Sequence, residues 1–114
     1  LVVNDTLYIG SMDKKVYALD AASGQKKWEF ATEGAVLASP AFAEGLLYVA
    51  SEDKNLYALD AATGEKRWWF TAKASIFTSP VVAEGRIYTC SQDGRVYALE
   101  ADNGRLLWAF PQTD

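Results

Sequence analysis

The chain has 114 residues, of which 50% are hydrophobic, and a formal net charge of −4 at pH 7. This length and composition are typical of one folded domain with a buried core and exclude a disordered segment. Its 11 Lys and Arg residues are dispersed, and no apolar run reaches the roughly 18 to 20 residues of a membrane-spanning helix, so we expect neither a nucleic-acid partner nor membrane insertion.

A forty-residue period runs through the chain without a gap. Ten columns of the resulting alignment hold the same residue in all three copies, among them one Ser and one Asp column. Because aromatic side chains bury large areas, those that recur at a fixed phase are expected to fill equivalent packing positions in stacked units. Twelve of the fifteen aromatic residues fall in four such columns: Tyr8, Tyr48 and Tyr88; Tyr17, Tyr57 and Tyr97; Trp28, Trp68 and Trp108; Phe30, Phe70 and Phe110.

Each copy predicts four short strands joined by tight turns. The copies form three predicted blades, at residues 1–34, 35–74 and 75–114. The strand segments of the middle copy are 39–43, 46–51, 56–60 and 67–70. Pro40 and its equivalent Pro80 place the first strand at a sheet edge, because proline donates no backbone hydrogen bond. A period near forty also fits paired-helix repeats, and the short apolar segments favour strands instead.

The middle strands of each copy are continuously apolar, which predicts a sheet that is buried on both faces. The fourth strand begins with Lys26-Lys27 in the first copy and Lys66-Arg67 in the second, which predicts a solvent-exposed edge. The pattern therefore predicts an all-β protein, a single propeller segment over residues 1–114. It consists of three four-stranded antiparallel blades, either as a partial β-propeller or as half of a six-bladed ring.

A turn motif present in three copies carries a family resemblance. The motif is Ala-x-Asp-x-x-x-Gly-x-x-x-Trp, with Glu100 in place of Asp in the third copy. It resembles the tryptophan-docking motif of the pyrroloquinoline-quinone (PQQ) repeat family, and the resemblance covers essentially the whole chain. In that family the Trp ring docks between neighbouring blades, and the Gly permits the turn between the third and fourth strands. The resemblance implies blade-docking roles for Ala18, Asp20, Gly24, Trp28, Ala58, Asp60, Gly64, Trp68, Ala98, Gly104 and Trp108.

The resemblance leads to two functional groups. Quinoprotein alcohol dehydrogenases bind the quinone beside an adjacent cysteine pair and a calcium ion, whereas this sequence has a single cysteine, Cys90, and no His. The usual general base and a Cys/His metal site are missing as well. We therefore predict no enzyme activity, no catalytic residues, no metal and no cofactor. The non-catalytic branch, which includes the propeller lipoprotein of the outer-membrane barrel-assembly machinery, fits better and implies a periplasmic or otherwise extracytoplasmic location.

We predict a protein-binding or assembly scaffold whose partner is a protein or peptide. Two alternatives stay open: blades excised from a PQQ-dependent quinoprotein dehydrogenase, and a designed or excised repeat protein without a function of its own. Side chains that differ between the copies are the candidate partner contacts, because the fold needs the shared columns. They lie in the second turn and on the fourth strand: Met12, Lys14, Lys15, Glu52, Lys54, Asn55, Trp69, Gln92, Arg95, Leu106 and Leu107.

The number of blades predicts how the chain assembles. Closed propellers have about four to eight blades, so three blades form an open arc with two uncovered sheet faces. We predict that these faces are covered in a homo-oligomer, a dimer that closes a six-bladed ring, or by flanking blades of a longer chain. We also expect Trp68→Ala to be the most damaging of the three Trp truncations, because only the middle blade has neighbours on both sides.

Overall fold

Three four-stranded antiparallel sheets make up the computed structural model, which describes residues 1–76 and 78–111. In each sheet the strands follow one another in chain order. The predicted all-β class and the three antiparallel blades are thereby confirmed. The strands are β1 (Val2–Val3), β2 (Thr6–Gly10), β3 (Lys15–Asp20), β4 (Lys26–Ala31), β5 (Ala41–Ala43), β6 (Leu46–Ala50), β7 (Asn55–Asp60), β8 (Lys66–Thr71), β9 (Val81–Ala83), β10 (Arg86–Cys90), β11 (Val96–Glu100) and β12 (Leu106–Phe110).

Each sheet lies within one of the predicted blade ranges, 1–34, 35–74 and 75–114, and residue 77 and the last three residues of the third range lie outside the described residues. We call the sheets blade 1, blade 2 and blade 3. In the described part of the chain there is no helix long and apolar enough to cross a membrane.

The first two strands of each blade are joined by a two-residue hairpin turn. In blade 2 the turn residues Glu44 and Gly45 both have positive φ, at 50° and 81°. This is the backbone of a type I′ turn, whose twist matches the right-handed twist of the strands it connects. The turn fixes the register, so Ala43 pairs with Leu46.

Successive side chains of the middle strands point to opposite faces of each blade, and both faces are covered in blade 2. The face turned to the following blade is called the leading face, and the face turned to the preceding blade is called the accepting face. The leading face of blade 2 holds Tyr48, Ala50, Leu56, Ala58 and Trp68. Its accepting face holds Leu47, Val49, Tyr57, Leu59 and Ala61. All ten residues are buried, which explains why these strands are continuously apolar.

The two end blades each leave one face uncovered. On the accepting face of blade 1, Leu7, Tyr17 and Leu19 are half-buried and Ile9 is exposed. On the leading face of blade 3, Trp108 and Phe110 are exposed. Cys90, a core thiol by its sequence context, is only half-buried because it lies on this uncovered face, whereas its equivalent Ala50 is buried.

Thr89 is buried on the accepting face of blade 3, at the position that Val49 occupies in blade 2. Among the described residues its hydroxyl has no hydrogen-bond partner. An unpaired buried polar group costs about 1 to 3 kcal/mol of desolvation, so Thr89→Val is expected to raise the free energy of unfolding by about 1 kcal/mol. Urea denaturation checks this, with Val49→Thr as the reverse control that should destabilise. Unchanged or lowered stability of Thr89→Val would contradict the assignment.

Candidate functional site: a repeated turn and two blade seams

The turn between the second and third strands is held by the same three side chains in every blade. In blade 2 the carboxylate of Asp53 accepts hydrogen bonds from the backbone N–H of Asn55 at 3.0 Å and from the Tyr57 hydroxyl at 2.5 Å. The hydroxyl of Ser51 accepts a hydrogen bond from the backbone N–H of Asp53 at 3.1 Å. These three residues belong to the invariant Ser, Asp and Tyr columns. The hydrogen bonds that fix this turn therefore explain why the three columns are invariant.

In blades 1 and 3 the hydrogen bonds of this turn also favour the charged form of the carboxylate. The hydrogen bond from the Tyr17 hydroxyl lowers the pKa of Asp13, and the hydrogen bond from the Ser91 hydroxyl lowers the pKa of Asp93. Burial raises the pKa of Tyr57 well above its ordinary value, so this tyrosine stays a neutral donor. Each carboxylate is thus engaged by its own turn. Across residues 1–76 and 78–111, no group of three or more His, Cys, Asp or Glu residues is placed to hold a metal ion.

The variable side chains of this turn form what we call the rim surface. Its members are the exposed residues of the second turn: Met12, Lys14, Glu52, Lys54 and Gln92. The structure brings them to equivalent positions in three blades, because the same hydrogen bonds shape each turn.

Three further predicted contacts lie beside the rim surface and are half-buried. The ammonium of Lys15 lies 3.0 Å from a carboxylate oxygen of Glu29, and the amide oxygen of Asn55 accepts a hydrogen bond from the Thr71 hydroxyl at 2.5 Å. The backbone N–H of Arg95 donates a hydrogen bond to the carboxylate of Asp93 at 2.9 Å. Lys15 and Asn55 therefore have partners within their own blades and are less free to bind another protein.

The remaining predicted contacts lie on the fourth strands rather than in the second turn. Trp69 on β8 is exposed, and the ammonium of Lys66 sits 4.1 Å from its ring centroid in a cation–π contact. On β12, Leu106 is exposed and Leu107 is half-buried. The eleven predicted contacts thus divide between the second turn and the fourth strands.

Two of the three docking-motif Trp residues, Trp28 and Trp68, lie in the seams between blades. The indole Nε1 of Trp28 donates to the carbonyl oxygen of Ala61 at 3.0 Å, and that of Trp68 donates to Ala101 at 3.1 Å. The same carbonyls accept from the hydroxyls of Tyr8 at 3.1 Å and Tyr48 at 2.8 Å. Neither these tyrosine bonds nor the Ala acceptors were predicted from the sequence, although both columns are invariant.

Each of these indole rings covers a glycine of the following blade. A Cβ placed on Gly64 would lie 2.6 Å from Cδ2 of Trp28, and one on Gly104 would lie 2.6 Å from Cδ2 of Trp68. At Gly24, by contrast, nothing within the described residues comes within 4 Å of such a Cβ. Only glycine therefore permits the observed approach of ring and turn in the two seams.

Other motif residues support the seam from within their own blade. Three alanines pair across the strands with the motif tryptophans and are fully buried: Ala18 with Trp28, Ala58 with Trp68 and Ala98 with Trp108. Two aspartates hold the turn before the fourth strand. The backbone N–H groups of Ser23 and Ala22 lower the pKa of Asp20, and the Arg67 guanidinium lowers the pKa of Asp60.

The structure changes the expected ranking of the three tryptophans. Trp28 and Trp68 are equally enclosed, at 9% and 8% exposed, whereas Trp108 is 41% exposed. The reason is that each Trp lies on the leading face of its own blade, so Trp28 and Trp68 each contact one seam and Trp108 contacts none. A neighbour on the other side of blade 2 therefore adds nothing to Trp68, and Trp28 and Trp68 are expected to be equivalent.

Comparisons with known proteins agree with this architecture. A family model described as outer membrane protein assembly factor BamB matches residues 12–114. Among solved structures, BamB from Moraxella catarrhalis superposes with a TM-score of 0.85 at 17% identity, covering 97% of this chain and 34% of that chain. Quinohemoprotein alcohol dehydrogenase ADHIIG from Pseudomonas putida HK5 gives 0.90 at 28% identity, covering 96% and 19%.

A designed protein has the same fold. The computationally designed Ika8 protein gives a TM-score of 0.86 at 16% identity, covering 96% of this chain and 34% of that chain. The chain thus spans about a third or less of the solved structures described here. No curated protein sequence matches it significantly.

Proposed function

The chain belongs to the PQQ-repeat β-propeller family of the outer membrane protein assembly factor BamB, and from this premise we propose that it is a non-enzymatic scaffold segment that binds a protein or peptide. The observation that carries the proposal is the locked second turn. One rigid backbone frame is presented three times with different side chains, and loops on rigid frames are common binding surfaces. The motif residues serve blade docking in this scaffold.

The name of the family model suggests the partner and the location. An outer membrane protein assembly factor works on outer-membrane proteins, so the proposed partner is an unfolded outer-membrane protein segment or another assembly component. The proposed location is periplasmic or otherwise extracytoplasmic. We further propose that other blades cover the two uncovered end faces, supplied by a second copy or by a longer chain.

A second candidate is a blade segment of a quinone-dependent alcohol dehydrogenase. The likeness to the Pseudomonas putida enzyme, at 28% identity, favours it. In this candidate the cofactor ligands lie in other blades. Because those ligands would lie outside the 114 residues, cofactor uptake separates the two proposals only in a protein that includes the other blades. There a scaffold binds no PQQ in the presence of calcium, and a stoichiometric quinone complex after desalting would favour the dehydrogenase. The likeness to the designed protein, at 16% identity, concerns the fold alone.

Binding to a labelled outer-membrane protein, unfolded in urea and diluted into the chain, tests the scaffold proposal by fluorescence anisotropy. Lys14→Ala with Lys54→Ala is expected to weaken binding about tenfold, the size of a typical interface contact. Lys26→Ala with Lys66→Ala is the matched control, because it removes the same charges from the fourth strands of the same blades. Equal losses in the two variants, or no binding by the parent chain, would contradict a binding role for the rim surface.

A further inference from the structure

The segments that connect the blades cross the rim surface. We call residues 32–36 the first linker and residues 72–76 the second linker. In the first linker the backbone N–H of Val36 donates to the carbonyl of Ser11 in blade 1 at 3.0 Å, and a linker carbonyl accepts from the backbone N–H of Glu52 in blade 2 at 2.9 Å. The second linker makes the two equivalent bonds, at 3.3 Å and 2.9 Å. Each linker therefore touches the second turns of two neighbouring blades.

The first linker adds a pair of buried hydroxyl groups to these backbone bonds. Thr32 is 7% exposed and Ser51 is fully buried, and their hydroxyl oxygens are 3.0 Å apart. The Thr32 hydroxyl also lies 2.9 Å from the carbonyl oxygen of Lys14 in the second turn of blade 1 and 2.7 Å from that of Gly34. Whichever hydroxyl donates to the other, the remaining proton is donated to one of these carbonyls. The pair therefore joins blade 1 and its linker to the second turn of blade 2.

A glycine lets the first linker approach the second turn of blade 2 closely. A Cβ placed on Gly34 would lie 2.5 Å from the backbone nitrogen of Asp53. Gly34 is not among the glycines with positive φ, so the close approach, rather than an unusual backbone conformation, requires glycine here. Beside it the backbone N–H of Glu33 donates to the carboxylate of Asp53 at 3.0 Å. We call Thr32, Gly34 and Ser51 the linker clamp.

The second linker differs at the equivalent positions. Ala72 has no hydroxyl, and Ala74 carries the Cβ that the close approach in the first linker excludes. The Ser91 hydroxyl, which is equivalent to that of Ser51, donates to the carboxylate of Asp93 within its own turn. Within residues 1–76 and 78–111, side chains therefore clamp the second turns of blades 1 and 2 together but not those of blades 2 and 3.

We propose that Thr32 and Gly34 are positioning residues that make the second turns of blades 1 and 2 one binding unit, in which a single extended peptide segment contacts both turns. Lys14 and Lys54 occupy the same position in these two turns, whereas blade 3 has Gly94 there. An extended segment offers carbonyl and carboxylate oxygens along its length, the groups that an ammonium binds. Contacts that are fixed before binding avoid the ordering cost of a mobile pair. This inference rests on the proposed scaffold function.

Thr32→Val tests the positioning role, because it removes the hydroxyl and keeps the shape of the side chain. Binding of the urea-unfolded, labelled outer-membrane protein, followed by fluorescence anisotropy, is expected to weaken about fivefold. Thr6→Val is the matched control: Thr6 is also 7% exposed, and its hydroxyl accepts from the ammonium of Lys27 at 2.7 Å, at the opposite end of β2 from the second turn. It should bind as the parent chain does, and Thr32→Ser, which keeps the hydroxyl, should bind nearly as well.

The two lysines provide a readout that a general loss of stability would not move. If one segment contacts both turns, Lys14→Ala and Lys54→Ala should each weaken binding about fivefold but together only about tenfold, because either change breaks the joint contact. In the Thr32→Val background the two losses should multiply. Equal binding by Thr32→Val and Thr6→Val would overturn the proposal, as would lysine losses that multiply in the parent chain.

Amide hydrogen exchange measures the clamp without a partner. The backbone N–H of Glu52 should exchange faster in Thr32→Val and in Gly34→Ala than in the parent chain, whereas that of Gln92, which makes the equivalent bond to the second linker, should not change. Unchanged exchange at Glu52 in both variants would overturn the clamp itself. Absence of binding by the parent chain would instead overturn the proposed function, and the binding unit with it, even if the exchange result is as expected.

Discussion

Trp28→Ala and Trp68→Ala are each expected to lower the free energy of unfolding by about 3 to 5 kcal/mol, the usual cost of truncating a packed aromatic residue to Ala. Each substitution removes a buried ring from a seam, together with an indole hydrogen bond to a carbonyl in the following blade. Trp108→Ala is expected to cost about 1 kcal/mol, because Trp108 is already 41% exposed and meets no following blade. Urea denaturation at low protein concentration, where association with a second copy does not contribute, measures all three.

Trp69→Ala is the matched control for this series. Trp69 follows Trp68 on the same strand but is 56% exposed, so its loss should change stability by less than about 1 kcal/mol. If Trp108→Ala destabilised the chain as much as Trp28→Ala, the assignment of one seam to each leading face would be wrong. If Trp68→Ala alone were severe, the original expectation for the middle blade would be right after all.

The strands could be predicted from the sequence because period and polarity agree in all three copies. The differences are at strand ends. The first strand of blade 2 was predicted at 39–43 and begins at Ala41, directly after Pro40, which has no N–H to give to a ladder. The second was predicted at 46–51 and ends at Ala50, because Ser51 leaves the sheet and caps the Asp53 turn. Local hydrogen bonds by small polar side chains decide such boundaries, and hydrophobic pattern does not report them.

The partner of each motif residue could not be predicted from the repeat. The invariant columns show that Trp28 and Gly64 are important, but each copy contains its own Trp and its own Gly. The columns therefore do not show whether a Trp contacts the Gly of its own blade, of the preceding blade or of the following blade. The structure resolves this by pairing Trp28 with Gly64 and Trp68 with Gly104, always from one blade to the next. The direction leaves a free glycine at one end of the arc and a free tryptophan at the other.

The predicted binding residues show the same limit. Variation between copies identified the rim surface, but it also selected Lys15 and Asn55, which vary and yet bind side chains of their own blades. A residue that differs between repeats is available to bind another protein only if it has no contact within its own blade that differs between the repeats as well. Glu29 and Thr71, the partners of these two residues, also differ from the equivalent positions in the other blades.

Gly64→Ala and Gly104→Ala are expected to destabilise the chain by about 3 kcal/mol or more, for two separable reasons. The first is backbone strain, since both glycines have positive φ, at 80° and 77°, where an L-residue costs roughly 1 to 2 kcal/mol. The second is the new Cβ, which would lie 2.6 Å from an indole carbon in either seam and would force the blades apart. The indole hydrogen bonds to Ala61 and Ala101 would then be stretched as well.

Gly94→Ala separates the two reasons, because it has a φ of 82° and open space where the Cβ would lie. It should show the backbone strain alone, about 1 to 2 kcal/mol. The difference between Gly64→Ala and Gly94→Ala in thermal and urea unfolding therefore measures the steric contact across the seam. Equal losses at the two positions would mean that the ring yields to the Cβ at no cost. In that case the two internal seams would not depend on glycine.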